Sequence, residues 1–310
     1  MPHEWSPERV IDAALAAQVI REQFPELADL PVRAFDAGWD NVVHAVGQDW
    51  LFRFIHREIA LPGARRELAV LLHLADRFAV PIPCPVFIGR PVPPVDWPFW
   101  GTRALPGREL ALAALPDGDR VPVAEALGTF LRDLHRPTLA AGLTAAGPAG
   151  VELPIDPLGR ADGATVAGRA RTSLATLTEN GLWHPDDATA AVLDRAAALG
   201  PADPADAVLV HGDLHIRHVL IDGGRASGVI DWGDTALADP SVDLMIAYAA
   251  FTPDVREHFL AAYGAVPAER EVRARALAVR VHALLAWYSS VEGLDAVHRE
   301  ATAALHRAVV

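Results

Sequence analysis

Residues 211–220 read HGDLHIRHVL, placing His211, Asp213, His215 and His218 within eight positions. The stretch lies between the apolar run Ala207–Val210 and the trio Val219–Leu220–Ile221. Short apolar runs of this kind, bounded by turn residues, predict buried strands. Ionisable groups between two buried strands are costly unless they are paired or used. Farther along, GVIDWGDTALADPSVDL contains Ile230-Asp231-Trp232. The segments VLID and ASGVID, joined by Gly223-Gly224, predict a hairpin. That hairpin brings Asp213 and His218, which precede it, near Asp231 at its end. Two carboxylates and an imidazole converging in this way can hold Mg²⁺, a hard ion that takes one or two carboxylates together with phosphate oxygens. The plain alternative makes the histidines structural and the aspartates turn caps. We prefer it for His211, and prefer the metal reading for Asp213 with Asp231.

Outward from this motif, the 310 residues exceed the usual span of one core and predict two lobes. Before residue 105 the pattern is β-rich. Val32–Phe35, Val42–Val46 and Trp50–Ile55 read as an antiparallel meander, with the turns DAGWDN and GQD between them. ARRELAVLLHLADRF follows as the helix packed on that sheet, and Val86–Ile88 and Phe99–Leu105 add two strands. A first helix is expected from Ser6 as N-cap with Pro7 at the first helical position. From residue 105 the chain turns mostly helical. Residues 137–163, rich in Pro, Gly and Ala, read as a surface excursion. Helices follow near 164–179 and 186–199, and three more close the chain near 254–264, 268–290 and 294–308. The class is α+β, with a lobe at 1–104 and a larger lobe at 105–310.

Composition removes several functions. The net charge of −13 argues against nucleic acid and anionic membranes as partners. No apolar run approaches the ~20 residues of a membrane span, and the N-terminus has no signal-like apolar region. The single cysteine, Cys84, reads as a small buried hydrophobe; it excludes an internal disulfide and suits a reducing cytoplasm. All 27 basic residues are arginine. Schiff-base chemistry is therefore excluded, and any cation that grips phosphate must be an arginine.

With both motifs in view, the sequence resembles the aminoglycoside phosphotransferase-like small-molecule kinases. Their catalytic loop reads H-G-D-x-x-x-x-N and their metal motif I-D-W. The resemblance runs from DAGWDN to about residue 251. It implies a protein-kinase-like bilobal fold, Mg²⁺, and ATP or GTP as co-substrate. It also implies phosphoryl transfer to a hydroxyl of an antibiotic (macrolide or aminoglycoside) or a related metabolite. Asp213 would orient the acceptor hydroxyl and accept its proton. His215 would take the part of the phosphate-facing lysine of protein kinases. His218 and Asp231 would hold the metal, and Asp243 would be a buried structural carboxylate. His218 departs from the usual Asn, as it does in the macrolide phosphotransferase branch.

In the first lobe the resemblance assigns the nucleotide to Arg53, paired with Glu67 from the helix. It adds the turn of Gly38, Asp40 and Asn41, and backbone groups near Arg103 and Leu105. For the acceptor it leaves Trp287, Tyr288 and Glu292 near the end of the chain. The C-terminus ALHRAVV lacks the acidic tail that grips amines in one aminoglycoside branch. A monomer or homodimer is expected. Three rivals stay open at this point: a catalytically degenerate nucleotide-binding module of the same fold, a choline- or homoserine-kinase-like metabolite kinase, and a metal-dependent hydrolase built on His211, Asp213, His215 and His218.

Overall fold

The computed structural model describes residues 7–38, 40–146 and 152–310. The chain divides into two compact units. In the first, five antiparallel strands run in the order β1-β2-β3-β5-β4. They are β1 (Val32–Ala37), β2 (Asn41–Val46), β3 (Trp50–Ile55), β4 (Pro85–Ile88) and β5 (Phe99–Arg103). Strand alternation sends Phe52 and Phe54 to one face and Arg53 to the other. Both phenylalanines are fully buried against Phe99 and helix α1 (Ala13–Gln23). Helix α2 (Leu61–Leu74) covers the face that carries Trp100 and Ile55.

Helix α1 begins later than the Ser-Pro signal predicted. Asp12 caps it, accepting the Leu15 N–H at 2.8 Å. The preceding segment is non-helical instead, because the Glu8 and Arg9 N–H groups donate to the His56 carbonyl at 3.0 and 3.2 Å. Ser6 itself, like Trp39 of the DAGWDN turn, lies outside the described residues.

The second unit comprises residues 78–81, 106–146 and 152–310 among those described. It contains α3 (Val121–Leu134), α4 (Pro137–Ala146), α5 (Gly163–Glu179) and α6 (Asp187–Leu199). Two small sheets follow: β8 (Val219–Asp222) lies between β6 (Arg108–Glu109) and β9 (Arg225–Val229), while β7 (Val208–Val210) pairs with β10 (Ala236–Ala238). The chain closes with α7 (Ser241–Ala250), α8 (Pro253–Tyr263), α9 (Ala268–Val291) and α10 (Asp295–Ala308). The β8–β9 turn is the expected one, with Gly223 and Gly224 both at positive φ, 54° and 76°.

Two features differ from expectation, each for a physical reason. Helix α7 has no readable period because all ten of its residues are buried, so no polar face marks it. The tract at 137–163 is only partly a surface excursion. Residues 137–146 are helical, and Leu153 and Ala161 are buried in the core, with Arg160 between them and the catalytic-type loop. Residues 147–151 lie outside the described residues.

Candidate active site

The loop after β7 is held by one carboxylate. Asp243, near the start of α7 and fully buried, accepts the His211 N–H at 2.7 Å and the Gly212 N–H at 2.9 Å. His135 meets the same carboxylate through Nε2 at 3.1 Å, and its Nδ1 lies 3.0 Å from the Tyr263 hydroxyl. The tautomer follows: the tyrosine O–H donates to Nδ1, and Nε2–H donates to Asp243. Burial raises the Tyr263 pKa, which keeps that hydroxyl a donor. Gly212 has φ 92°, and a Cβ there would sit 2.2 Å from the Asp234 carbonyl, so the position requires glycine. Leu214 and Ile216 plug the core, while Glu109 grips Arg217 at 2.8 and 3.1 Å. The loop has little freedom.

The histidine tautomers can be read from their partners. The His211 ring accepts the Asp213 N–H at Nδ1 (3.2 Å), so it donates Nε2–H to the Ile230 carbonyl at 2.9 Å. It is a buried brace, as expected of it, and burial lowers its pKa. His215 accepts the Arg217 N–H at Nδ1 and points Nε2–H at Asp213 Oδ2, 3.5 Å away. Burial, reinforced by His218, pushes the His215 pKa down to about 3. His215 serves as a neutral donor to Asp213.

The positive charge beside Asp213 comes from Arg160, a residue that no sequence motif marks. Arg160 Nη2 is 3.1 Å from Asp213 Oδ1, and Nη1 is 2.8 Å from Asp234 Oδ2 and also donates to the Gly212 carbonyl. Burial alone would raise the Asp213 pKa. The His215 hydrogen bond and the charge of Arg160 outweigh it, holding the carboxyl well below the usual carboxylate range.

His218 answers why a histidine ends the motif. Its Nδ1 lies 2.7 Å from the Asp213 carbonyl, which can only accept, so Nδ1 carries the proton. Its Nε2 faces Asp231 Oδ2 at 3.4 Å. Asp231 is itself held at φ 66°, a conformation unusual for a residue with a side chain. The donor set therefore suits a divalent ion, although imidazole is softer than the amide oxygen it replaces. Asp213, His215 and His218 also bring ligand atoms within 4.8 Å of one another. However, His215 Nε2 and His218 Nδ1 both carry hydrogens, so that trio is satisfied by hydrogen bonds and does not favour the hydrolase alternative.

In the first unit, Arg53 Nη1 meets both Glu67 oxygens at 2.7 Å, with Glu67 buried on α2. The Gly38 N–H donates to the Asn41 carbonyl at 2.9 Å, and Asp40 pairs with Arg57 at 2.9 Å. Arg103 stacks over Trp50 at 4.6 Å, and the N–H of Ala104, ahead of Leu105, is taken by the Asp49 carbonyl at 2.7 Å.

Residues 31–277 match the model of a family described as phosphotransferase enzyme family. The chain belongs to that family. It is 31% identical over 219 residues to the aminoglycoside 3'-phosphotransferase of Streptomyces fradiae, an alignment covering 64% of this chain and 72% of the relative. Among solved structures, the GDP complex of wild-type aminoglycoside 2'-phosphotransferase-IIIa aligns with a TM-score of 0.65 at 20% identity, covering 96% of this chain and 98% of the other. A macrolide 2'-phosphotransferase from Brachybacterium faecium aligns with a TM-score of 0.59 at 23% identity, covering 96% and 98%. The fold of this phosphotransferase is accordingly the protein-kinase-like α+β type expected.

The expected acceptor residues sit elsewhere than the loop. Trp287, Tyr288 and Glu292 lie at the C-terminal end of α9, and no hydrogen bond or ion pair among the described residues joins them to it. The part of α9 that reaches the loop is His282, whose ring centroid is 6.5 Å from that of His215. Burial lowers its pKa to about 4. Nothing in a uniformly mixed helix such as α9 singles this residue out.

Asp243→Ala in the phosphotransferase should lower stability by about 2–6 kcal/mol, since two buried N–H donors lose their acceptor at about 1–3 kcal/mol each. Denaturant unfolding of the full chain against wild type measures this.

Proposed function

We propose that this phosphotransferase moves the γ-phosphate of ATP or GTP, with Mg²⁺, to a hydroxyl of a small molecule, either an antibiotic of the macrolide or aminoglycoside kind or a related metabolite. The observation that carries the reading is the Asp213 carboxylate, fixed on a pinned loop within reach of the His218–Asp231 acceptor pair. In this reading a lobe at residues 1–104 binds nucleotide and a lobe at residues 105–310 carries catalysis and the acceptor. Arg53, braced by Glu67, places the nucleotide's phosphates, with Gly38, Asp40, Asn41 and the backbone near Arg103 and Leu105 around the rest. His218 Nε2 and Asp231 would hold Mg²⁺, which supplies charge neutralisation at the transferring phosphoryl group. The related structures support a nucleotide: one is a GDP complex, and a spectinomycin phosphotransferase is complexed with ADP and spectinomycin.

Asp213 accepts a hydrogen bond from the acceptor hydroxyl and so aims its oxygen. Its depressed pKa makes it a weak base until the proton is already leaving. That suits a loose transition state, in which positioning matters more than early proton removal. Arg160 and His215 orient the carboxylate, the first as a cation and the second as a neutral donor.

Asp213→Asn should lower kcat by about 10²–10⁴-fold while leaving nucleotide affinity near wild type. Steady-state kinetics with any acceptor found, together with nucleotide titration, checks it; kcat within a few-fold of wild type would overturn the assignment.

Asp231→Ala should abolish the Mg²⁺ dependence of nucleotide binding, whereas His218→Asn should retain it, because an amide oxygen is the harder donor. Calorimetric titration of nucleotide with and without Mg²⁺ separates the two.

Arg53→Ala and Glu67→Ala should impair kcat/KM comparably. Their double mutant should cost less than the sum, since the pair acts as one unit. Strict additivity in that cycle would displace the phosphate site from Arg53.

A further inference from the structure

Helices α5 and α6 of the second unit enclose a cavity of about 430 Å³. Leu174 and Leu193 line it and are buried, and so does Trp183 from the connection between the two helices, 5% exposed. Ala175, Pro185 and Ala190 complete the apolar lining. His306 of α10 packs on the indole with ring centroids 5.1 Å apart. A buried tryptophan ordinarily finds an acceptor for its N–H. This one makes no hydrogen bond among the described residues, although it lines an open space.

The charges around the cavity are unbalanced. Arg171 lines it but pairs with Asp194 at 2.6 Å. Asp186 caps α6, accepting the N–H and the hydroxyl of Thr189 at 2.8 and 2.7 Å, and meets no cation among the described residues. Glu179 is the last residue of α5, exposed, and has neither hydrogen bond nor ion pair among those residues. No basic residue stands in that last turn of α5. A helix C-terminus is the negative end of the dipole, so it disfavours a carboxylate and favours a cation. The cavity is also remote from the loop of Asp213. Arg160, which touches Asp213, precedes α5, whereas the cavity uses the C-terminal half of that helix. At about 1.5 Å per residue, Glu179 lies roughly 24 Å along the axis from the first residue of α5.

We infer that this cavity is a second ligand site, for a small amphipathic amine whose apolar body carries a hydrogen-bond acceptor. The body covers Leu174, Trp183 and Leu193 and removes their apolar surface from water. The ammonium group lies with Glu179 and Asp186, where it balances both carboxylates and the helix end. The acceptor atom takes the free indole N–H, and the indole face itself attracts a cation. An anion is repelled by the same carboxylates, and a polyhydroxylated amine has too little apolar surface to fill the space. A concave, mostly apolar wall with few polar groups is the usual make-up of a small-molecule site. The site stands apart from the phosphotransfer reading and does not depend on it.

The test is calorimetric titration of the full chain with 2-(1-naphthyloxy)ethylamine, with and without MgADP. The neutral 2-(1-naphthyloxy)ethanol and the anionic (1-naphthyloxy)acetate share its aryl ether and are titrated alongside. Saturable binding of one amine per chain is expected, undiminished by MgADP, with the alcohol weaker by about fivefold and the acetate weaker still. Glu179→Gln should erase most of the preference for amine over alcohol. Trp183→Phe should weaken all three, because it removes the donor and keeps the ring. Ala190→Phe, at an exposed helix position, should fill the cavity and abolish binding, so the test stays decisive if Trp183→Phe fails to fold. The inference is overturned if wild type shows no saturable amine binding, if MgADP displaces the amine, or if alcohol or acetate binds as tightly. It is equally overturned if Glu179→Gln and Ala190→Phe bind the amine like wild type.

Discussion

A buried carboxylate that accepts backbone N–H groups is stable only if every one of them arrives, and Asp243 imposes that condition on the second unit. It takes the N–H groups of His211 and Gly212 and a bond from His135, which is in turn oriented by Tyr263. Helices α3, α7 and α8 and the end of β7 must therefore meet at one point. Gly212 adds a steric condition, because its α-carbon passes too close to the Asp234 carbonyl for any side chain. The loop is thus pinned from beneath by hydrogen bonds and from the side by backbone. Asp213 inherits its position from these contacts more than from its own.

Around Asp213 the electrostatics are arranged so that protonation is difficult. Arg160 supplies the cation, His215 a neutral donor, and the Asp213 carbonyl sets the tautomer of His218. The Asp213 backbone thereby places a proton on His218 Nδ1 and turns Nε2 toward Asp231. The use of arginine throughout has consequences here, since a guanidinium can bond Asp213, Asp234 and a carbonyl at once while an ammonium offers only a point charge.

Much of the first unit is legible in the amino-acid sequence. The meander, its two added strands and helix α2 follow from alternation and turn chemistry, and Arg53 has to oppose Phe52 and Phe54 across the sheet. Its pairing with Glu67 spans only 14 residues. The start of α1 is not legible, because the Ser-Pro signal is local whereas the competing bonds to His56 come from the far end of another strand. Helix α7 escapes because burial on every side erases the periodicity on which sequence reading depends.

The sequence by itself determined the spacing of Asp213, His218 and Asp231, the hairpin that brings them together, the arginine-for-lysine exchange and the class of the fold. These depend on period, turn residues and short separations along the chain. Only the tertiary structure decided that Arg160 neutralises Asp213 from 52 residues upstream of Gly212, that His215 points Nε2 at Asp213, and that His282 of α9 is turned toward this region. The physical reason is the same in each case. Charge state and tautomer are set by whatever the fold places within a few ångströms, and a Pro-, Gly- and Ala-rich tract or a uniformly mixed helix carries no local mark of what it will touch.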